Sequence, residues 1–486
     1  DVTFIPVSEP AVLSSATVDL SETNAVLTTG GTLTISDVDS PEFFLMQAGT
    51  AGSYGTFTIN AAGVWSYTAI SAHDAFVAGT TYTDTFQVRS ADGTTTSVTV
   101  NILGTNDAAV LSSATVGLSE TDVVLTTGGT LTISDVDNPA TFVAQVGTVG
   151  SYGTFSIDAS GVWNYTASSA HDEFVAGTTY SDTFQVASAD GTTTSVTVNI
   201  LGSNDTMVVS SLAITGTQIS FIAADPDNGT LALASSFGAA FGNPVIASGA
   251  TTNLTPVSQA AAVSGTLQVT DGSATADVIA LYLGTGSGDS FAAGSASTAI
   301  YGFGGNDILT GSTAADFIFG GTGADTIAAG GGNDTINLAN GDFIAGESID
   351  GGANSDSIVL TNGTTVDFSV GTVTNVETLT GSTSSDTVTL SASQLAGFGT
   401  IDLVSGTDTL NVVAGGNISS LALATMSNID SGNLTGTSGS DSITLTGAQL
   451  DAILIGTGTI DLGSGTGDTI NLTSTSSDLN TLGATN

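Results

Sequence analysis

GTGSGDSFA, AGSASTAIY, GFGGNDILT, GSTAADFIF, GGTGADTIA and AGGGNDTIN, read without a gap from Gly284 to Asn337, are six consecutive units of nine residues. The eighth position of each is apolar: Phe291, Ile300, Leu309, Ile318, Ile327 and Ile336. The sixth is Asp289, Asp307, Asp316, Asp325 or Asp334 in five units, and Thr298 in the other. This is the nonapeptide β-helix pattern G-G-x-G-x-D-x-U-x. Each unit reads as a tight turn and a three-residue strand, so two units close one coil of a flattened right-handed roll and residues eighteen apart stack. Asp289, Asp307 and Asp325 are expected along one edge and Asp316 and Asp334 along the other, with coils roughly 4.8 Å apart. Carboxylates that close repel strongly unless a cation lies between them. Calcium suits the spacing because it is a hard ion taking about six to eight oxygens. Gly302, Gly304, Gly321, Gly323, Gly330 and Gly332 let backbone carbonyls turn toward it without a Cβ in the way. Six phased units set this stretch apart from a Gly/Asp-rich surface loop without metal. The pattern thins at Thr298 and at Ala314-Ala315, where a carboxylate and a loop glycine are missing.

Residues 284–360 resemble the RTX, or haemolysin-type, calcium-binding repeats of bacterial proteins exported by type I secretion, and GFGGND, GGTGAD and AGGGND carry the resemblance. The resemblance implies several Ca2+ ions as cofactors, an extracellular or cell-surface location and an uncleaved carboxy-terminal export signal. No such signal is recognisable in TSSDLNTLGATN (475–486). Beyond Asn337 the strict period breaks, yet GGANSDSIV repeats it with Asp356 in the sixth place. Asp342, Glu347 and Asp350 could contribute to a further site.

The chain has 486 residues, one basic side chain (Arg89) and 45 acidic ones, for a net charge of −44. Nucleic acid is thereby excluded as a partner, and metal or solvent salt must neutralise the carboxylates if the domains are to stay compact. The chain has no cysteine, so disulfides are not its staple. No run of eighteen apolar residues is present to span a membrane. The chain opens at Asp1 without Met or a signal peptide, as expected of a processed protein or a segment of a longer one.

A second repeat fills the amino-terminal half: residues 11–106 recur at 109–204 with a constant offset of 98. LSETNAVLTTGGTLTISDVDSP returns as LSETDVVLTTGGTLTISDVDNP, and SADGTTTSVTVNILGTND as SADGTTTSVTVNILGSND. Short runs of alternating β-branched and polar residues, punctuated by Gly, Asn and Asp, predict a β-sandwich in each. Trp65 and Trp163 read as core anchors. These units resemble the VCBS repeat, a cadherin-like or immunoglobulin-like module found in tandem in large bacterial surface proteins. The resemblance implies calcium at the junctions between neighbouring domains. Its ligands would be the SDVD aspartates (Asp37 and Asp39; Asp135 and Asp137) and the terminal Asp107 and Asp205, with Glu22 and Glu120 as further candidates. The competing reading is turn chemistry, since Asp at a turn start bonds its own backbone. That reading is favoured for Asp92 and Asp190 of the ADGT motif.

Residues 206–283 keep the strand composition, and AADPDNGT offers Asp225 and Asp227 as a diverged echo of SDVD. From residue 361 longer coils recur: GSTSSDTVTLSASQL and GTSGSDSITLTGAQL lie 55 residues apart, as Asp386 and Asp441 show. Stacked coils burying Val, Ile and Leu against one another are expected, similar to the tails of RTX-type S-layer proteins. Asp408 and Asp468 are open between calcium and turn roles.

His73 and His171 occupy equivalent places in the twin units, as structural residues would, and neither H-E-x-x-H, G-x-S-x-G nor a cysteine nucleophile is present. No enzyme is expected. The fold expected is all-β: tandem immunoglobulin/cadherin-like sandwiches at 1–107, 108–205 and 206–283, a calcium-binding parallel β-roll at 284–360, and a β-solenoid at 361–486. The function expected is an extracellular calcium-binding structural protein of the bacterial surface that folds on calcium after export. It would then self-assemble with copies of itself into an S-layer or filament, or serve as an adhesin stalk, with cell-surface polysaccharide as a second candidate partner. The alternative is the export and calcium-folding module of a type I-secreted enzyme or toxin whose active domain lies outside this chain. A carbohydrate-binding module is a weaker third reading.

Overall fold

A computed structural model describes residues 7–477, leaving aside the side chains of Ser235 and Ser236. The first residues and 478–486, the place expected for an export signal, lie outside the described residues. The protein is nearly all-β and divides into two units, Asp1–Ser203 and Asn204–Asn486.

The first unit holds the duplicated sandwiches. In the first copy, Ala16–Ser21 runs parallel to Thr95–Leu103, which pairs antiparallel with Thr81–Arg89. Facing them is an antiparallel sheet ordered Thr28–Thr32, Val64–Ala69, Gly55–Ile59, Gln47–Ala51. Alternation decides which side chains go inside: Trp65, Tyr67 and Ala69 from one sheet meet Phe86, Val88, Val98, Val100 and Ile102 from the other. Trp65 stacks on Phe57 with centroids 6.0 Å apart, as a core anchor should. His73 takes a left-handed φ of 66°, its Nε2 lies 2.7 Å from the Tyr54 carbonyl, and its ring stacks on Phe76. The second copy repeats these contacts with Trp163, Tyr165 and His171.

The second unit begins with a sandwich of its own. Val208–Thr215, Gln218–Ala224 and Thr251–Leu254 form one sheet. Thr230–Leu233, Val245–Ala247, Val263–Thr270 and Thr275–Leu283 belong to the other. Hydrogen bonding does not stop at residue 283. Thr275–Leu283 pairs in parallel with Thr298–Tyr301, so the larger sheet runs straight into the roll, and Ala299, Tyr301 and Phe319 share the sandwich core. No composition shift announces this, because the strand that crosses from one architecture to the other is apolar in both.

In the roll, apolar eighth positions stack in two columns: Phe291, Leu309, Ile327, Ile349, Val373 on one face and Ile300, Ile318, Ile336, Ile358, Leu379, Ile401, Met426 on the other. These side chains form one continuous core, with Phe291, Val373 and Met426 half-buried against it. The step along each column is 18 residues as far as Ile327 and Ile336 and lengthens to 22 at the next coil, Ile349 and Ile358. The added residues enter the loops, so the core column is uninterrupted. Later coils carry a short helix that the strand pattern hides. Ala392–Leu395 and Gly447–Ile453 are each opened by a capping box, Ser391 with Gln394 and Thr446 with Gln449.

Candidate calcium sites

From Asp307 and Asp316 onward, each sixth-position carboxylate of the roll accepts the backbone N–H of the sixth residue one coil earlier. Along one edge Asp289 N donates to Asp307 Oδ1 at 2.6 Å, Asp307 N to Asp325 Oδ1 at 2.8 Å and Asp325 N to Glu347 Oε2 at 2.9 Å. Along the other, Thr298 N donates to Asp316 at 2.6 Å, Asp316 N to Asp334, Asp334 N to Asp356 and Asp356 N to Glu377, the last three at 2.8 Å. The two stacked columns are therefore those the eighteen-residue spacing implies, and each ends on a glutamate. Glu377, which the sequence reading overlooked, lies one coil beyond Asp356, just as Glu347 lies one coil beyond Asp325.

The second carboxylate oxygen divides the set. Asp289 Oδ2 accepts Thr285 N at 2.6 Å, Asp316 Oδ2 accepts Ser312 N at 2.5 Å, Asp386 Oδ2 accepts Ser382 N at 2.7 Å and Asp441 Oδ2 accepts Thr437 N at 2.7 Å. In Asp307, Asp325, Asp334 and Asp356 the Oδ2 is buried with no hydrogen-bond partner among the described residues. The residue four places earlier explains the split. It is Ser or Thr where the oxygen is capped; where the oxygen is bare it is Phe303, Gly321, Gly330 or Gly352, at φ of 73°, 91°, 106° and 99°. A left-handed residue turns its N–H away from the carboxylate, and glycine does this without the Cβ penalty. Gly302 contributes close approach: a Cβ there would stand 2.4 Å from Asp307 Oδ2 and 2.5 Å from the Gly320 carbonyl. Gly323 and Gly332 also have left-handed φ, 135° and 110°, whereas a Cβ on Gly304 would meet nothing nearer than 3.1 Å.

A buried carboxylate oxygen without a donor is costly. Burial pushes Asp307 up to about 6, Asp334 to about 7 and Glu347 to about 8, with neighbouring carboxylates adding to the rise. Anionic oxygens lacking donors, beside carbonyls in a glycine cradle, fit a hard cation and oxygen coordination. Of the further candidates, Glu347 joins the column, Asp342 accepts Ala339 N at 2.7 Å, and Asp350 accepts from Asn375 Nδ2 at 2.8 Å.

A different cluster lies between the two sandwiches of the first unit. Ligand atoms of Glu22, Asp74 and Asp107 all fall within 4.8 Å of one another. Glu22 is 2% exposed; Thr105 N and Oγ1 donate to its Oε2 at 3.0 and 3.1 Å, leaving Oε1 without a partner. Asp107 N donates to Asp137 Oδ1 at 3.3 Å, and Asp135 Oδ1 accepts from Asp137 N and Asn138 N. One oxygen each of Asp107, Asp135 and Asp137 is buried and unpartnered. Burial, followed by Glu22, Asp74 and Asp135, raises Asp107. Sequence reasoning missed Asp74; the signal was present, since both copies keep an acidic residue after the left-handed histidine, Asp74 and Asp172.

In SDVD, Asp37 Oδ1 takes Asp39 N and Ser40 N in a turn, and its Oδ2 is buried without a partner among the described residues. Asp39 accepts Glu9 N at 3.0 Å. Asp225 repeats the turn, accepting Asp227 N and Asn228 N at 3.3 and 3.2 Å; burial and Asp227 raise it to about 7. Asp205 and Asp227 are buried. Asp92 and Asp190 are turn residues: each is spoken for by a Ser hydroxyl, a Thr hydroxyl and backbone N–H groups.

Residues 8–104 and 106–202 each match the bacterial cadherin-like domain family, and residues 301–336 match the RTX calcium-binding nonapeptide repeat in four copies. The chain carries two bacterial cadherin-like domains and an RTX repeat array. Calcium is its cofactor. Similar solved structures include protocadherin gamma B7 extracellular cadherin domains 1–4, 16% identical over 55% of this chain and 74% of that one, with a TM-score of 0.28. Drosophila N-cadherin EC1–3 is 16% identical over 56% and 97%, TM-score 0.23, and mouse cadherin-23 EC22–24 is 17% identical over 56% and 98%, TM-score 0.26. No curated protein matches the chain. Among the described residues no helix is long and apolar enough to cross a membrane.

Proposed function

We propose that this RTX and cadherin-like protein is a structural component of the bacterial surface, exported by type I secretion in a calcium-poor, incompletely folded state and folded by external calcium. The observation that carries the reading is the set of four buried carboxylate oxygens, on Asp307, Asp325, Asp334 and Asp356, that no donor among the described residues serves. These aspartates, with Glu347 and Glu377 closing the columns, are the proposed roll ligands. Glu22, Asp74, Asp107, Asp135 and Asp137 are the proposed ligands that stiffen the first sandwich junction. Bound calcium supplies the positive charge these oxygens lack, and because the unfolded chain has no such sites, binding free energy becomes folding free energy.

Folded protein then assembles with copies of itself into a layer or filament, or stands as an adhesin stalk. Exposed apolar side chains beside an edge strand support this: Val143, Val146 and Val149, where Gln145–Val149 ends its sheet, are 52, 93 and 79% exposed. The test is calcium titration of purified protein followed by circular dichroism and electron microscopy, with chelator and magnesium controls. A calcium-specific folding transition with ordered sheets or filaments supports the whole reading. Folding that leaves monomers rules out self-assembly and favours the stalk, or the export module of a larger secreted protein. No response to calcium overturns the proposal.

A further inference from the structure

The two cadherin-like domains are near copies, and their differences gather at one edge. Five of the nine positions from 43 to 51 differ from their counterparts at 141–149. This segment holds the edge strand of the four-stranded sheet, Gln47–Ala51 in the first domain and Gln145–Val149 in the second. The next two strands of that sheet, Gly55–Ile59 and Val64–Ala69, differ from theirs at only two positions, Thr58 for Ser156 and Ser66 for Asn164. The edge differences run in opposite directions by size. Phe43, Leu45 and Met46 are replaced in the second domain by the smaller Thr141, Val143 and Ala144, whereas Ala48 and Ala51 are replaced by the larger Val146 and Val149. All ten side chains are exposed.

The backbone puts the swapped alanines and valines on one side of the sheet. Gly49, at φ 81°, and Gly147, at φ 65°, sit where the edge strand slips its register by a residue against the next strand. Positions three apart therefore point the same way. Ala48 pairs with Thr58 and Ala51 with Thr56, both outward residues of their strand. In the second domain Val149 pairs with the outward Thr154, and Val146 follows Gln145, whose partner Ile157 points inward. On the outer sheet face of the first domain the small side chains leave an open hollow of about 410 Å³, lined by Met46, Ala48, Thr58, Asn60, Val64 and Ser66, among others. The second domain projects Val146 and Val149 from the corresponding place. Hollow and projection are both exposed in the same chain, so the two domains of one molecule do not fill each other.

We infer that these faces are the two halves of one contact between copies of this chain: Val146 and Val149 of one molecule's second domain seat in the hollow of another molecule's first domain. Size opposes the like pairings, because two first domains would set hollow against hollow and two second domains would set valines against valines, each leaving gaps that forfeit packing contacts. Charge points the same way. At a net charge of −44, copies can approach only over uncharged surface, and the lining of the hollow contains no charged side chain. Asn60, in that lining, is Asp158 in the second domain, so two second-domain faces would bring carboxylates together while the mixed pairing sets one carboxylate against an amide face. The contact is heterologous: each copy offers one hollow and one projection, binds two neighbours, and repeats into an open filament unless its rotation closes a ring. The inference deepens the self-assembly reading above and rests on it.

The test is sedimentation velocity on the full chain in calcium, with circular dichroism on the same samples. The unaltered chain should form species that grow with concentration. Val146→Glu and Ala48→Glu, each at an exposed position outside the core, should be monomeric with unchanged circular dichroism. Val146→Ala, which installs the first domain's own residue, should raise the concentration needed for assembly severalfold without any risk to the fold from a new charge. Mixed in equal amounts, the two glutamate variants should form dimers and nothing larger, since only the intact hollow of Val146→Glu and the intact projection of Ala48→Glu can meet. Assembly that persists in either glutamate variant, or a mixture that stays monomeric, would overturn this contact and leave self-assembly through another surface standing. An unaltered chain that folds with calcium yet remains monomeric would overturn both.

Discussion

At the scale of single residues, the roll's aspartates look alike in sequence and differ in chemistry. Asp316 and Asp325 both stand sixth in their units, but Ser312 N caps one while Gly321, at φ 91°, leaves the other's Oδ2 bare. Asp325→Asn is expected to lower the number of calcium ions bound per chain, counted by calorimetry or elemental analysis. Asp289→Asn, altering a carboxylate whose Oδ2 is already capped by Thr285, should leave the count unchanged; equal losses in both variants would contradict the division. Protons should compete with the metal at the same oxygens. The unfolded chain holds carboxyls near ~4, whereas burial holds Asp307 at about 6, Asp334 at about 7 and Glu347 at about 8. The metal-free folded roll therefore binds more protons than the unfolded chain across roughly pH 4 to 8, and its stability falls as pH rises through that window. In chelator, ordered β signal should be greatest near the acidic end and fade toward pH 8, with calcium reversing the fade; a signal that grows with pH would refute this. The aspartate columns were legible because a fixed nine-residue spacing dictates which carboxylates stack. The capping was not, since it depends on the sign of one backbone angle four residues upstream, and Phe303 shows that residue type does not always report it.

At the scale of elements, the roll tolerates insertion in its loops because its strands are fixed by their inward side chains. The expected break at Asn337 is a lengthening, not an end: the coil grows from 18 to 22 residues, Ile327 still pairs with Ile349, and Glu347 takes the place an aspartate would occupy. The longer glutamate side chain spans what the altered loop leaves open. Sequence periodicity could not show this, because it detects a constant step and the physical constraint is a constant register. The helices at Ala392–Leu395 and Gly447–Ile453 were hidden for the opposite reason. They are too short to show a 3.6-residue period, although S-x-x-Q and T-x-x-Q were there to be read. Core continuity predicts the cost of a defect. Ile318 is wholly buried between Ile300 and Ile336, so Ile318→Ala should destabilise the calcium-loaded roll by about 2–5 kcal/mol. Urea unfolding in saturating calcium measures it, and a loss well under about 1 kcal/mol would mean the coils do not pack as one core.

At the scale of the whole molecule, calcium acts on parts that depend on it unequally. Each cadherin-like domain has its own two-sheet core of aromatic and β-branched residues, including Trp65 or Trp163. The roll has a narrow core made of two facing columns of side chains, flanked by columns of buried carboxylates. An ion present at a hundredfold its dissociation constant adds about 2.7 kcal/mol, so even three or four such ions contribute on the order of 10 kcal/mol, comparable to the whole stability of an ordinary domain. Chelation should therefore unfold the roll and spare the sandwiches. The chain is built to report this, because both of its tryptophans lie in the sandwiches and neither in the roll. Adding chelator at neutral pH is expected to remove much of the far-ultraviolet β signal while tryptophan emission stays at the wavelength of a buried indole. If emission shifts to that of exposed tryptophan together with the loss of β signal, the sandwiches too are held by calcium, and the junction cluster around Glu22 and Asp107 supports their folds as well as the joint between them. Should neither signal move, the carboxylate columns are satisfied without metal, and calcium-driven folding fails as the account of how this chain reaches its structure.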